Sequence, residues 1–545
     1  MNAGLFLSTC KGLVSQSVDL KALSGHYKDL AAVEVVDDFY DPISMSTMLR
    51  LVEEKHLDAV VLAGESPMAY KEMRNGDDLF RCLRERGVNA NRIEVVNLKN
   101  MVVRPHKATP QALQTKAEVL IDVGLEKVKQ SSEMGTVEVS PRKAVAIVGG
   151  HAMSYVLAQH LLDAGHKVFL LNRDTKVTIP DGALPHVLPT MTYAARHERF
   201  HQYDDAVATD FFGFTGDYAL GVKVAGKDLE LQVGAVALAP ESNPSVVKEL
   251  QALFHIDVDD SGRLAAKDEA TARSQTLDRG VFVINPPRAA TDDLAASMLA
   301  ADATGAMIMS LLSRQEIQHQ VAISQVKREL CGGCGVCVKT CIFHAVTLEG
   351  EPRVSHIERR RCRGCGNCVT ACPASARELV SMPSGYLSKA VEIMARYAPA
   401  GGGKKVLFVG CEGCGYSCLD RAAEAGLTWP VTVMPLRVVC GGQIDMQLIL
   451  HALVQGFDGV VLGICGEGCC HNLIGNVDLE RRVNLLREVL TSRGLDAERV
   501  HIVATCARTA SGCVESINSF MQRLEAPAGS ASGQAAPRLT VRMTS

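Results

Sequence analysis

Eight cysteines are spaced for cluster chemistry. Cys331, Cys334, Cys337 and Cys341 follow C-x2-C-x2-C-x3-C, and Cys362, Cys365, Cys368 and Cys372 repeat the run, with Pro373 directly after. Two-residue spacings let three thiolates of one loop wrap three irons of a cubane, and the fourth cysteine of each run crosses to the other cluster. The spacing therefore predicts one 4Fe-4S cluster on Cys331, Cys334, Cys337 and Cys372, and a second on Cys362, Cys365, Cys368 and Cys341. Zinc favours two C-x2-C pairs set apart around one tetrahedral ion, and it does not explain a third cysteine two residues on, twice. Glycines at 332, 333, 335, 364 and 366 permit tight backbone approach with amide donors aimed at sulfur. Arg359, Arg360, Arg361 and Arg363 crowd the second loop; they would raise that cluster's potential, dock a partner, or form a solvated basic face.

A second group of thiols lies toward the C-terminus: Cys411, Cys414, Cys418, Cys440, Cys465, Cys469 and Cys470, followed by His471. VLFVGC, VMPLRVVC and GVVLGIC are strand-like runs each ending in cysteine, so a parallel sheet would gather these thiols at one edge, where open α/β sheets build their sites. Structural zinc and unligated core thiols are the alternatives. Cys418 and Cys469 fit a ligand pattern less well. Cys10, Cys82, Cys506 and Cys513 have no partner at ligand spacing and read as buried thiols, and His471 reads as a donor to a ligand.

The elements that carry these residues follow from length and pattern. With 545 residues the chain should divide into three or four domains. Most of its nineteen cysteines fall between Cys331 and Cys470, and such clustering in a large chain without a secretory signal reads as metal ligation in a reducing cytoplasm. A net charge of −4, from 57 basic and 61 acidic residues, offers no electrostatic case for nucleic acid or an anionic membrane surface. The apolar stretch at 294–312 is interrupted by Asp302 and spaced like an amphipathic helix, so direct membrane insertion is not expected. The pattern predicts a multidomain α/β chain. Its parts are an α/β domain without a cluster over 1–135, a degenerate Rossmann-like flavoprotein domain over 143–315, a two-cluster bacterial ferredoxin module over 325–380, a C-terminal α/β iron-sulfur domain over 403–524, and a disordered Ala/Gly/Ser/Pro tail over 525–545.

The middle domain opens with KAVAIVGGHAMSYVLAQHLLDAGHKVFLLNR, a strand, turn, helix and strand. A working dinucleotide fingerprint is G-x-G-x-x-G, whose second glycine admits the pyrophosphate and whose third packs helix on strand. Those positions are Gly149, His151 and Ser154, so Gly149 and Gly150 are what remains to contact FAD. Asn172 and Arg173 stand where an acid would bind ribose. The reading is a retained scaffold that has lost its flavin; the alternative is FAD held through substitute contacts.

The motifs GCEGCGYSC, PLRVVCGGQID, GICGEGCCHNLIGN and ERRVNLLREVL resemble the small iron-sulfur delta subunit of methyl-viologen-reducing hydrogenase. The resemblance implies one 2Fe-2S cluster, with Cys411, Cys414, Cys440, Cys465 and Cys470 at the matching positions, one more than the four ligands needed. AVVLAGESP, VNLKN, GVFVINPPR ahead of a small-residue helix, and the order of domains resemble the flavin subunit of heterodisulfide reductase, including subunits of quinone-interacting membrane-bound oxidoreductases. Against that family, the A-T-G turn is replaced by Ala239, Pro240 and Glu241, and the late G-D by Asn285, Pro286 and Pro287. The first domain offers only Cys10 and Cys82, with Glu65 where the family often has cysteine, so no cluster is expected in residues 1–130. Together the resemblances imply an electron-transfer subunit of an anaerobic oxidoreductase complex. It would relay electrons between a flavin, hydrogenase or formate dehydrogenase partner and a heterodisulfide reductase-like or other reductase subunit, without a substrate site of its own. A flavin-containing, electron-bifurcating subunit that binds FAD itself is the alternative, and a cluster-based sensor or scaffold a third class.

Overall fold

The computed structural model describes residues 1–67, 76–133, 135–173, 184–240, 243–254, 256, 258, 262–264, 280–284, 294–320, 323–398, 402–466, 470–505 and 510–526. Two compact units emerge: one from residues 1–135 together with 322–545, the other from the intervening 136–321. Short apolar runs separated by helix-period segments build the first part of unit 1. Strands β1 (Ala3–Ser8), β2 (Ala32–Val36), β3 (Ala59–Gly64) and β4 (Ile93–Asn97) form a parallel sheet in the order β2-β1-β3-β4. β1 and β3 are buried at every position, as a parallel sheet covered on both faces requires. Helices Leu20–His26, Pro42–Glu54, Gly76–Glu85 and Pro110–Gln130 alternate with the strands.

Unit 2 places β6 (Ala144–Val148), β7 (Lys167–Leu171), β8 (Phe200–Tyr203), β12 (Ala235–Leu238) and β13 (Val281–Val283) in one parallel sheet, ordered β13-β12-β6-β7-β8. An antiparallel sheet of β9 (Ala206–Phe214), β10 (Asp217–Val224) and β11 (Lys227–Val233), and a pair of β5 (Thr136–Val139) with β14 (Ile317–Gln320), complete it. Helix Leu294–Leu312 is long and apolar enough by composition to cross a membrane. Its Ala301, Ile308, Leu311 and Leu312 belong to the core that covers one face of the main sheet. Asp302 meets His160 at 2.6 Å.

The remainder of unit 1 holds two antiparallel pairs, β15 (Ser324–Val326) with β18 (Arg377–Leu379) and β16 (Val346–Glu349) with β17 (Val354–Ile357). After helix Ser384–Ala395, strands β19 (Val406–Cys411), β20 (Val433–Val438), β21 (Gly459–Cys465) and β22 (Val500–Thr505) form a second parallel sheet ordered β20-β19-β21-β22. Its helices are Ser417–Glu424, Met446–Val454, Gly475–Ser492 and Ala510–Glu525.

These two sheets are copies of one domain. Both run β-α-β-α-β-α-β-α with the same strand order, and their registers superpose. Leu7 pairs with Ala63 as Gly410 pairs with Gly463, Ser8 with Val36 as Cys411 with Val438, and Val60 with Ile93 as Val460 with Val500. The sequence carries the same repeat, LDAVVL at 57–62 against FDGVVL at 457–462 and RGVNANRIEVV at 86–96 against RGLDAERVHIV at 493–503. In each copy the aspartate before the third strand accepts from the backbone N–H just before the first strand, Asn2 to Asp58 at 2.7 Å and Lys405 to Asp458 at 2.9 Å. Gly87 and Gly494 take the left-handed turn before the fourth strand, which favours glycine.

Polar groups bond the two copies. Glu94 on β4 receives Lys127 and the Arg437 guanidinium of β20, the latter at 2.8 and 3.1 Å. Asp420 accepts from Ser66, Asn97 and Asn100 at 2.5, 2.6 and 2.9 Å. Lys116, fully buried, donates to the carbonyls of Val431 and Val433 at 3.0 and 2.8 Å and reaches His106 at 2.7 Å. A buried charge is tolerated only when paired or hydrogen-bonded in this way. Burial holds the Lys116 ammonium well below the usual lysine range.

Candidate metal centres

The cysteine-rich module forms two cavities. Cys331, Cys334, Cys337 and Cys372 line one, and Cys341, Cys362, Cys365 and Cys368 line the other. Each short helix, Val336–Thr340 and Asn367–Thr370, starts after a left-handed glycine, Gly335 or Gly366. This turn carries the third cysteine of each run toward its own cavity, and the fourth, beyond the helix, reaches the other. Around the first cavity Ser355 N donates to Cys331 Sγ at 3.4 Å, and the Ser355 hydroxyl lies 3.5 Å from Cys337 Sγ. Backbone donation from Ser355 and Gly333 pulls the Cys331 thiol below its ordinary range. Burial pushes Cys365 up to about 12. The first cavity is the outer one, with Cys334 exposed.

Sequence reasoning singled out the arginine run, yet Arg359 and Arg363 are exposed and Arg360 and Arg361 half-buried. Arg363 lines the second cavity, and Arg377, 3% exposed and outside the run, donates to the hydroxyls of Ser355 at 2.5 Å and Ser324 at 3.0 Å. Its only sequence signal is that it opens a short strand five residues after Cys372.

In the C-terminal sheet Cys411 ends β19 and Cys465 ends β21, whereas Cys440 stands two residues beyond β20 and not at its end. Cys411, Cys414, Cys440, Cys465 and Cys470 are all buried in one cluster. Cys411 Sγ and Cys465 Sγ lie 3.7 Å apart; a tetrahedral metal with bonds of about 2.3 Å would set two thiolates about 3.8 Å apart. Neighbouring thiols donate to Cys411 and Cys470 and depress both, while Cys440 and Cys465 are held protonated by the same contacts. Ligation of a metal must displace those protons. Gly475 is required here, since a Cβ would fall 2.4 Å from Cys440 Sγ and 3.5 Å from Cys470 Sγ. His471 Nδ1 is 3.9 Å from Cys414 Sγ and 4.0 Å from Cys465 Sγ, close enough to join a ligand set as well as to donate to one. Cys418 and Cys513 are buried free thiols hydrogen-bonded to each other; Cys469 and Cys506 lie outside the described residues.

Cys365 packs against this five-thiol cluster. The loop after Cys440 seats directly on the loop after Cys365. A Cβ on Gly442 would meet Asn367 Oδ1 at 2.1 Å and the Cys365 carbonyl at 3.0 Å, and one on Gly366 would meet Gln443 Cα at 2.9 Å. The Thr370 hydroxyl donates to the Gly442 carbonyl at 3.1 Å.

In the N-terminal copy the equivalent positions carry other chemistry. Strand register sets Ser8 at the place of Cys411, Glu65 at that of Cys465 and Asp38 at that of Cys440. The Ser8 hydroxyl donates to Glu65 Oε1 at 2.6 Å, and Lys11, three residues past Ser8 as Cys414 is past Cys411, pairs with Asp38 at 3.4 Å. Burial raises the Glu65 carboxyl.

The fingerprint turn of unit 2 is filled from within. Gly149 retains its left-handed backbone against the Ala239 carbonyl. His151 caps helix Ala152–Asp163: its Nδ1 accepts from Met153 N at 3.3 Å and its Nε2 lies 3.2 Å from the Ile284 carbonyl. Burial lowers this imidazole to about 4, so it is neutral near pH 7. Ser154 donates to the Gly149 carbonyl at 2.8 Å and accepts from His151 N at 3.3 Å. Asn172 Oδ1 presses on Gly150. At the helix N-terminus that would receive a pyrophosphate, the amides of His151 and Met153 donate to the protein's own side chains, and these residues do not fit a flavin dinucleotide. Glu241, Asn285, Pro286 and Pro287 lie outside the described residues.

Paired cubane cavities beside a strand-end thiol cluster define an iron-sulfur protein. Residues 330–376 match the 4Fe-4S dicluster domain, and residues 406–526 match the family described as methyl-viologen-reducing hydrogenase, delta subunit. The chain is 37% identical over 97 residues to the iron-sulfur subunit of the F420-non-reducing hydrogenase of Archaeoglobus profundus, covering 18% of this chain and 71% of that one. It is 36% identical over 96 residues to the iron-sulfur subunit of the vhc F420-non-reducing hydrogenase of Methanococcus voltae, covering 18% of this chain and 67% of that one. Through this domain the chain belongs to the hydrogenase delta-subunit family. It is also 31% identical over 235 residues to one subunit of the ferredoxin/F420H2-dependent CoB-CoM heterodisulfide reductase of Methanosarcina acetivorans. That match covers 43% of this chain and 29% of the relative's length.

Proposed function

We propose that this chain is the electron-relay subunit of an anaerobic oxidoreductase complex, carrying single electrons along three clusters held in series within unit 1. Cys331, Cys334, Cys337 and Cys372 hold the outer 4Fe-4S cluster, and Cys341, Cys362, Cys365 and Cys368 the inner one. A 2Fe-2S cluster takes four ligands from Cys411, Cys414, Cys440, Cys465 and Cys470. When bound, these groups supply one-electron redox chemistry; the chain's own residues space, insulate and charge-tune them. The observation that carries the reading is the packing of Cys365 on the five-thiol cluster, which brings a ligand of the inner cubane into contact with the C-terminal site.

The N-terminal copy is a cluster-free support, because serine, lysine, aspartate and glutamate hold its ligand positions and are bonded to one another. Unit 2 is a scaffold without FAD, because His151 and Ser154 occupy the pyrophosphate's donors. A relay needs neighbours at both ends, so the partners are a flavin, hydrogenase or formate dehydrogenase subunit on one side and a heterodisulfide reductase-like or other reductase subunit on the other. The setting is a reducing cytoplasm.

Anaerobically isolated protein tests this through iron, acid-labile sulfide and flavin content, with EPR of the reduced sample. About ten irons per chain, both cluster types and no flavin are expected. One flavin per chain released by acid would instead make this the electron-splitting flavin subunit.

A further inference from the structure

One cation stands at the junction between the inner ferredoxin site and the C-terminal site. Arg482, on helix Gly475–Ser492, donates from Nη1 to the Thr370 hydroxyl at 3.2 Å and from Nη2 to the carbonyls of Gly441 and Gly442, both at 3.3 Å. Thr370 closes the loop that begins at Cys365, and Gly441 and Gly442 follow Cys440. The side chain thus ties the ligand loop of one cluster to that of the next. All three acceptors are neutral oxygens, and Nε is sealed from solvent with no hydrogen-bond partner among the described residues. No carboxylate hydrogen-bonds to the guanidinium among the described residues; Asp478 and Asp445 act on it only through their charge, as do the Cys440 and Cys365 sulfurs. A half-buried guanidinium without a bonded anion is costly. A cluster on four thiolates is itself an anion, and it gains a further negative charge on reduction.

We infer that Arg482 is a positioning residue for electron transfer, clamping the inner cubane and the C-terminal cluster together and raising the reduction potential of both. The inference rests on the three-cluster reading above. The step it serves moves one electron from the reduced cluster to the oxidised one, with no bond made or broken and no proton required. A fixed positive charge facing both centres stabilises each reduced form and raises both potentials together. Arg377 lines the outer cavity and bonds Ser355 there and Ser324 of the inner cavity, so it stands between the two cubane sites, away from Arg482.

The test uses the full-length holoprotein, comparing native protein with Arg482→Met and Arg482→Lys in anaerobic EPR redox titrations. Arg482→Met should lower the reduction equilibrium constant of both the inner cubane and the C-terminal cluster by about tenfold, or 59 mV for one electron, with the outer cubane unmoved. Arg482→Lys should keep most of the potential, yet it cannot fork to both loops, so the spin-spin broadening between the two centres should change. If Arg482→Met fails to fold, Arg482→Lys and Thr370→Val still test the clamp through that broadening. All three clusters present with both reduction equilibrium constants changed less than twofold and the broadening unchanged would overturn the role of Arg482 alone. Native protein without a C-terminal cluster would overturn this inference together with the relay itself.

Discussion

The join between the two copies of the α/β domain rests on Glu94. Its carboxylate is 10% exposed and faces Lys127, 11% exposed, and Arg437, 17% exposed; Arg437 also lies 3.7 Å from Glu412, beside the C-terminal thiols. Replacing Glu94 by glutamine keeps the shape and leaves two cations facing a neutral amide. At an effective dielectric near 20, one ion pair at about 3 Å is worth roughly 5–6 kcal/mol before desolvation, and deleting one partner of a buried pair costs about 3–5 kcal/mol net. That equals a fall of about two to four powers of ten in the folded-to-unfolded ratio. Urea unfolding of the anaerobic holoprotein, followed by far-UV circular dichroism and cluster absorbance, should show a clear drop in midpoint. Glu94→Leu combined with Lys127→Met and Arg437→Met removes all three charges and should recover most of the loss. Burial alone would raise the Glu94 carboxyl, but Arg437 and Lys127 outweigh it and hold it below 4.5. The stabilisation is therefore complete above about pH 4.5 and lost as pH falls through the lower folded value, so the gap between native and Glu94→Gln protein should close in acid. A cost under about 1 kcal/mol at pH 7, the level of an exposed pair, would refute the reasoning.

Two further outcomes follow from the metal centres. Cys372→Ala should remove the EPR signal of the outer cubane and spare the inner one, although Cys372 belongs to the second cysteine run; loss of the inner signal would refute the crossed ligation. Gly475→Ala drives a methyl group against Cys440 and should cut iron by about two per chain, erasing the 2Fe-2S signal while both cubanes persist. Full iron with all three signals would show that the C-terminal cluster binds elsewhere.

The spacing of Cys331 to Cys372 was sufficient to sort eight cysteines into the two groups that line the two cavities, because a cubane's reach and a two-residue loop are local quantities. The departure from the fingerprint at His151 and Ser154 was likewise legible, because it is read from residue types alone. What those side chains do instead was not legible: the imidazole caps its own helix and meets Ile284, 133 residues away. The internal repeat was present in RGVNANRIEVV and RGLDAERVHIV, but at low identity it becomes decisive only when the registers of both sheets coincide. Glu65 stood out in the sequence as a missing cysteine, and only the fold placed Ser8 against it.

Local rules thus picked out which cysteines line each cavity of the central module and that strand ends would gather the later thiols. Tertiary structure alone decided that the first and last α/β domains belong to one unit, and that Cys365 abuts the C-terminal cluster. It alone placed Arg377 and Arg482 beside the ligands. Contacts between residues hundreds of positions apart depend on how whole sheets pack, and hydrophobic periodicity carries no information about which buried face meets which.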